Sequence, residues 1–213
     1  MDAQLLFLTI QNSTDWQTDD KGKDLQFKIM VSDEEKRIYI LVQETKSKKD
    51  WLHNFLFLPF PFRLSKGNWI IVHAGWLCLS SILSGCLKKE LFGFKYYEPV
   101  KNGYDIVFAA WSAGVAIAEL TATRLVKEKL IAQPQFVGYA SPAYCYGQKT
   151  AEKIRGQFAS YYNFLWFKDW IKYLVPFCAR NTNGEVLANG APCKTLDERH
   201  RIYGKGLLIP KNV

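Results

Sequence analysis

Hydrophobic positions follow two periods along this chain. Gln26–Val31 and Arg37–Val42 are short β-branched and aromatic runs on either side of the acidic turn Ser32-Asp33-Glu34-Glu35, which predicts two strands and a tight connection. Leu56–Phe62 and Trp69–His73 flank Ser65-Lys66-Gly67-Asn68 and predict a hairpin. Pro59 and Pro61 confine its first strand to an edge or an irregular segment, because proline has no N–H to give a neighbour. From Trp76 to Leu87 the spacing changes: Trp76, Leu79, Leu83, Cys86 and Leu87 fall on one face of a helix. Lys88 and Lys89 stand near its end, where cations favour the helix dipole.

The second half is more regular. Tyr104–Ala109 predicts an apolar strand, Val115–Lys129 a helix, Gln135–Ala140 a strand, Lys149–Gln157 a short amphipathic helix and Tyr161–Phe167 a further strand. Strands alternating with helices at this spacing predict a parallel sheet with crossover helices, an α/β fold. No repeat, low-complexity tract or linker divides the chain, so residues 1–213 are expected to form one domain.

Composition agrees with a packed core and narrows the partners. The chain has 213 residues, enough for one well-buried core, and its 14 Phe, 11 Tyr and 7 Trp supply area for that core or for an apolar cleft. A net charge of +8 fits either a solubilising surface or attraction to an anionic membrane. The basic residues are scattered and no recognised module is present, which speaks against nucleic acid. Five cysteines, an odd number without a Cys-x-x-Cys pair, predict reduced thiols and a cytoplasmic protein. A bridge between Cys178 and Cys193 stays open. Met1–Leu8 has no basic n-region and too short an apolar run for a signal peptide, and no stretch approaches the ~20 apolar residues of a membrane span. With no P-loop, no usable glycine fingerprint and no His-x-x-x-His, no cofactor or metal is expected.

The candidate chemistry sits where the strand Tyr104–Ala109 runs into the helix, at Ala110-Trp111-Ser112-Ala113-Gly114. A nucleophile elbow needs small residues two before and two after the nucleophile, because the turn brings backbones together. Ala110 and Gly114 meet that need, and the turn would expose the Ser112 hydroxyl and direct the Ala113 N–H at a developing oxyanion. The pentapeptide alone equally permits a packing turn without chemistry. The following helix begins apolar on nearly all sides, with Val115, Ala116, Ile117, Ala118 and Leu120, while Arg124, Lys127 and Lys129 are expected to face solvent.

A hydrolytic serine needs a base, and His200 is the only histidine after Ser112. Asp169 follows the strand Tyr161–Phe167, so its carboxylate would project from a strand's C-terminal end, where open α/β sheets build their sites. Asp197 is the competing acid, only three residues from His200. Ser112, Asp169 and His200 occur in the order that α/β-hydrolases use. Cys145 offers a different nucleophile, but without small flanking residues.

Several motifs in one order resemble the class 3 lipases, the family of fungal triacylglycerol lipases and related phospholipases. The similarity runs from about Arg37 to Tyr203. Ile40-Leu41-Val42-Gln43-Glu44-Thr45 resembles the strand ending in Phe-Arg-Gly-Thr/Ser, and Asp50-Trp51 the Asp-Trp after it. Val72-His73-Ala74-Gly75-Trp76 resembles Val-His-x-Gly-Phe, which implies a structural His73. Ala110–Gly114 takes the place of Gly-His-Ser-Leu-Gly. Tyr139-Ala140-Ser141-Pro142 resembles Phe-Gly-Ser-Pro, Asp169–Pro176 the Asp-x-Val segment leading to Leu-Pro, and His200-Arg201-Ile202-Tyr203 the His-x-x-Tyr near the C-terminus.

The resemblance implies an α/β-hydrolase fold, a mostly parallel central sheet flanked by helices, and a Ser112–His200–Asp169 triad acting through an acyl-enzyme. It adds Thr45 to Ala113 in the oxyanion hole. The substrate would be a small-molecule or lipid ester. Glu44 stands in place of a glycine and Trp111 in place of a histidine, which keeps a second reading open, a hydrolase-fold binding or scaffold protein with an impaired site. The stretch from Thr45 to Asp50 leaves little room for a lid, so a lidless esterase fits as well as a lipase. Trp111, Phe57 and Phe60 are candidate pocket residues. The aromatic run Phe55–Phe62 that holds the last two serves equally as core.

Overall fold

The structure, a computed structural model, describes residues 3–18, 25–43, 58–93, 95–165, 175, 178 and 179. The elements in chain order are α1 (Ala3–Asn12), β1 (Gln17–Thr18), β2 (Gln26–Ser32), β3 (Arg37–Gln43), β4 (Pro59–Ser65), β5 (Asn68–His73), α2 (Ala74–Phe92), α3 (Tyr97–Lys101), β6 (Asp105–Trp111), α4 (Ala113–Lys127), β7 (Gln135–Tyr139), α5 (Gln148–Arg155) and β8 (Ser160–Phe164). Six strands form one sheet in the order β1-β2-β3-β6-β7-β8. β1, β2 and β3 pair antiparallel. From β3 onward the pairing is parallel, with Ile40 beside Phe108, Ala110 beside Gly138 and Tyr139 beside Phe164. The mostly parallel sheet expected from the alternation of strands and helices is present.

Each new parallel strand is added on the same side of the last. Crossovers of one hand therefore place their helices on one face, and α2, α4 and α5 do share a core with Ile38, Ile40, Val42, Phe108 and Ala110. The alternate residues Tyr39, Leu41, Val107, Ala109 and Trp111 point to the other face, which α1 covers with Leu6, Phe7 and Ile10. Coverage on both faces explains why β3 and β6 are almost continuously buried and almost continuously apolar.

The hairpin of β4 and β5 stands outside the main sheet as a separate two-stranded unit. Pro61 pairs with Ile71 and Pro59 with His73; a two-stranded unit has only edge strands, so the missing N–H groups are tolerated. Leu56 and Phe57 lie outside the described residues. α2 runs further than the predicted Trp76–Leu87, from Ala74 to Phe92. Its Lys88 pairs with Glu128 at the end of α4, so this lysine ties two helices together besides facing a dipole. Among the described residues no helix is long and apolar enough to cross a membrane.

Candidate active site

β6 ends at Trp111 and α4 begins at Ala113, leaving a single residue to reverse direction. That residue is Ser112, with φ 58° and ψ −134°. A positive φ is costly for a residue with a Cβ, and such strain collects at functional turns. Two backbone bonds hold it: the Ser112 N–H donates to the Tyr139 carbonyl at 2.9 Å, and the Val115 N–H donates to the Ser112 carbonyl at 3.0 Å. The Ser112 side chain does not cap the helix, and the residue is 1% exposed. Ala113 is the first residue of α4, where backbone N–H groups have no partner within the helix and the dipole favours negative charge.

The small residues around Ser112 have steric reasons. A Cβ on Gly114 would lie 2.9 Å from the Val42 carbonyl oxygen and 3.1 Å from the Gln43 carbonyl. The first turn of α4 is thus pressed against the C-terminal end of β3. Ala110 is fully buried between Val42 and Gly138 in the flanking strands. The next strand end is strained as well: Ala140, directly after β7, has φ 56°, and its N–H donates to the Phe164 carbonyl of β8 at 2.9 Å. The C-terminal ends of β3, β6, β7 and β8 therefore converge on one edge of the sheet, with Ser112 in its middle.

In the sequence Thr45 comes two residues after Gln43, and Asp169 five residues after the end of β8. Thr45, Glu44, Phe57, Asp169 and His200 all lie outside the described residues. Of the remaining candidates, Trp111 points to the α1 face, 3% exposed, with its ring edge-on to Phe7 at 6.2 Å. Phe60 is 52% exposed on the hairpin and lines a cleft with Leu77 and Arg124. The structure brings Ser112 and Ala113 together at the start of α4. His73 is buried at the start of α2, where its Nδ1 accepts the Trp76 N–H at 3.3 Å and its ring stacks on Trp76 at 4.1 Å.

Cys145 is fully buried, and burial first, then the nearby Glu119 carboxylate, push its thiol well above the usual range. A nucleophilic cysteine needs the reverse environment, so the thiol alternative is removed. Glu119 itself was not apparent from the sequence. It is fully buried inside α4 and accepts hydrogen bonds from the hydroxyls of Tyr144 and Tyr161. Its only sequence signal is a charge within the apolar run Val115–Leu120. Arg124 also departs from expectation, being half-buried against Phe62 instead of facing solvent.

Residues 39–178 match the class 3 lipases. Among solved structures the chain is similar to the Rhizomucor miehei triacylglyceride lipase, 17% identical with a TM-score of 0.61 over 76% of this chain and 60% of that one. A lipase from Rhizopus microsporus var. chinensis is 18% identical, with a TM-score of 0.59 over 82% of this chain and 66% of that one. A triacylglycerol lipase whose catalytic centre is formed by a serine protease triad is 21% identical, with a TM-score of 0.58 over 71% of this chain and 56% of that one. This chain thus spans between 56% and 66% of the length of those structures. At these identities the likeness is one of fold, the α/β-hydrolase fold. No curated protein matches the sequence.

Proposed function

The chain belongs to the class 3 lipase family, and from that premise we propose that it is a serine hydrolase of carboxylic acyl esters, with Ser112 as nucleophile, His200 as base and Asp169 as the acid that orients it. The observation that carries this reading is the strained turn at Ser112 between β6 and α4. A nucleophile elbow holds its central residue in this strained conformation at a sharp strand-to-helix turn. The triad is that of the triacylglycerol lipase described above, carried to Asp169 and His200 by their order and motifs.

In this mechanism His200 accepts the Ser112 hydroxyl proton as Oγ bonds to the ester carbonyl carbon. The Ala113 N–H and Thr45 stabilise the oxyanion, and the close approach of Gln43 to Gly114 supports a place for Thr45 beside the elbow. Collapse breaks the ester C–O bond, and the alcohol leaves with the proton from His200. Water, deprotonated by His200, then attacks the acyl carbon; the acyl–Oγ bond breaks, His200 returns the proton to Ser112, and the acid is released. We read the chain as one domain, since both cores lie on faces of one sheet. We also read it as cytoplasmic, on the free thiols of Cys78, Cys86, Cys145 and Cys178.

Hydrolysis of p-nitrophenyl butyrate tests the assignment of roles. Ser112→Ala and His200→Ala abolish turnover, and Asp169→Asn lowers kcat by about 10⁴-fold through the wrong imidazole tautomer. Thr45→Ala lowers kcat by roughly 10²–10³ with little change in KM. Wild-type rates in Asp169→Asn would move the acid to Asp197, and wild-type rates in Thr45→Ala would move the oxyanion donor elsewhere.

A further inference from the structure

Toward the end of α4 far from Ser112, the hairpin and α2 flank an open cleft of about 420 Å³ lined by Phe60, Phe62, Leu77, Cys78, Arg124 and Lys127. Its cations are set away from the elbow: Arg124 is twelve residues beyond Ser112, about 18 Å along the helix. Its floor is apolar: Phe62 is 5% and Leu77 8% exposed, and the half-exposed Phe60 forms a wall. Its volume falls in the range of small-molecule sites.

Two cations meet over that floor. The Arg124 guanidinium carbon is 5.3 Å and the Lys127 Nζ 5.4 Å from the centre of the same Phe62 ring. Neither has a carboxylate partner among the described residues, and the adjacent acid, Glu128, is taken by Lys88. The Arg124 Nε is buried without a hydrogen-bond acceptor. A buried donor without a partner is costly, and two neighbouring cations repel. An anion at this point relieves both penalties. Inorganic phosphate would use the cations and leave the aromatic floor bare. A single chain with one anionic end uses the whole cleft.

We propose that the cleft binds a monomeric fatty carboxylate, its head on Arg124 and Lys127 and its chain along Phe62, Leu77 and Phe60. The site stands on this geometry alone. Its meaning as a second site for the acid released by hydrolysis rests on the function proposed above.

Cys78, exposed in the cleft lining, supplies a reporter. The test uses the full chain with Ser112→Ala, so that failure of the hydrolase reading does not affect it. Decanoate below its micellar concentration is expected to slow maleimide alkylation of Cys78, mapped by peptide mass spectrometry, in a saturable way. Decanol and inorganic phosphate are expected to protect far less. Arg124→Gln with Lys127→Gln raises the decanoate Kd by about tenfold or more, the loss of charge-assisted contacts. Lys127→Gln alone, at an exposed position, gives a smaller rise and keeps the test decisive if Arg124→Gln unfolds. Equal protection by decanol, an unchanged Kd in Lys127→Gln and the double variant, or protection only by phosphatidylglycerol vesicles would each overturn the proposal.

Discussion

Ser112 and Ala140 hold φ of 58° and 56° at the ends of neighbouring strands, where a side chain of any kind is strained. Glycine lacks the clash, so Ser112→Gly should be more stable than Ser112→Ala by about 1 kcal/mol, or ~2–4 °C in Tm. Equal melting temperatures would mean that the turn relaxes without strain. Gly114 gives the opposite case. A Cβ there would sit 2.9 Å from the Val42 carbonyl, so Gly114→Ala should cost about 1–3 kcal/mol in urea unfolding. The need for small residues at 110 and 114 was legible in the pentapeptide, but the partner that imposes it at 114 was not. That partner is the end of β3, some seventy residues earlier in the chain, and only the parallel pairing of β3 with β6 brings it there. Ala140 was legible only through the family motif, which has glycine at its place.

At the scale of elements, α4 carries three features along one axis: the elbow at its start, Glu119 in its middle and Arg124 near its end. Glu119 is held by two tyrosine hydroxyls in the core between α4, β8 and the segment after β7. Burial first, then the Glu119 charge, push the Tyr144 hydroxyl well above its ordinary value. The native state therefore keeps this proton at pH values where the unfolded chain has lost it. Stability from this group is complete below about pH 10 and falls as pH rises further. Tyr144→Phe should flatten that alkaline loss and should cost about 1.5–3 kcal/mol near neutral pH by removing a bond to a charged group. Identical alkaline slopes for the two proteins in urea titrations would contradict the assignment. Periodicity in the sequence revealed β2, β3, β6, β7 and α4 to within a few residues. It missed α1: Met1–Leu8 shows only that a signal peptide's features are lacking, whereas Leu6, Phe7 and Ile10 are the cover for a sheet face. Glu119 and Arg124 were missed for a related reason. Periodicity assigns polar residues to solvent, and a buried charge is visible only with its partners, which come from β8 and the hairpin.

In the whole molecule, the same-sided winding of β3, β6, β7 and β8 brings their C-terminal ends to one edge. Such an edge was legible from the alternation of strands and helices, since parallel strands share a direction and open α/β sheets bind at that end. Ser112 directly follows β6 at this edge, and in the sequence Thr45 follows β3 by two residues and Asp169 follows β8 by five. His200 is separated from the last described residue, Ala179, by twenty-one positions, and only its motif and its order in the chain point to it. The central claim is that this edge activates Ser112. A fluorophosphonate probe tests it on the full, folded chain, because a serine next to a base reacts far faster than an ordinary one. The account predicts one label per chain, mapped by peptide mass spectrometry to Ser112, absent in Ser112→Ala and nearly absent in His200→Ala. No labelling of well-folded wild-type protein, together with ester turnover no faster than buffer, would contradict it and leave a hydrolase fold used for binding.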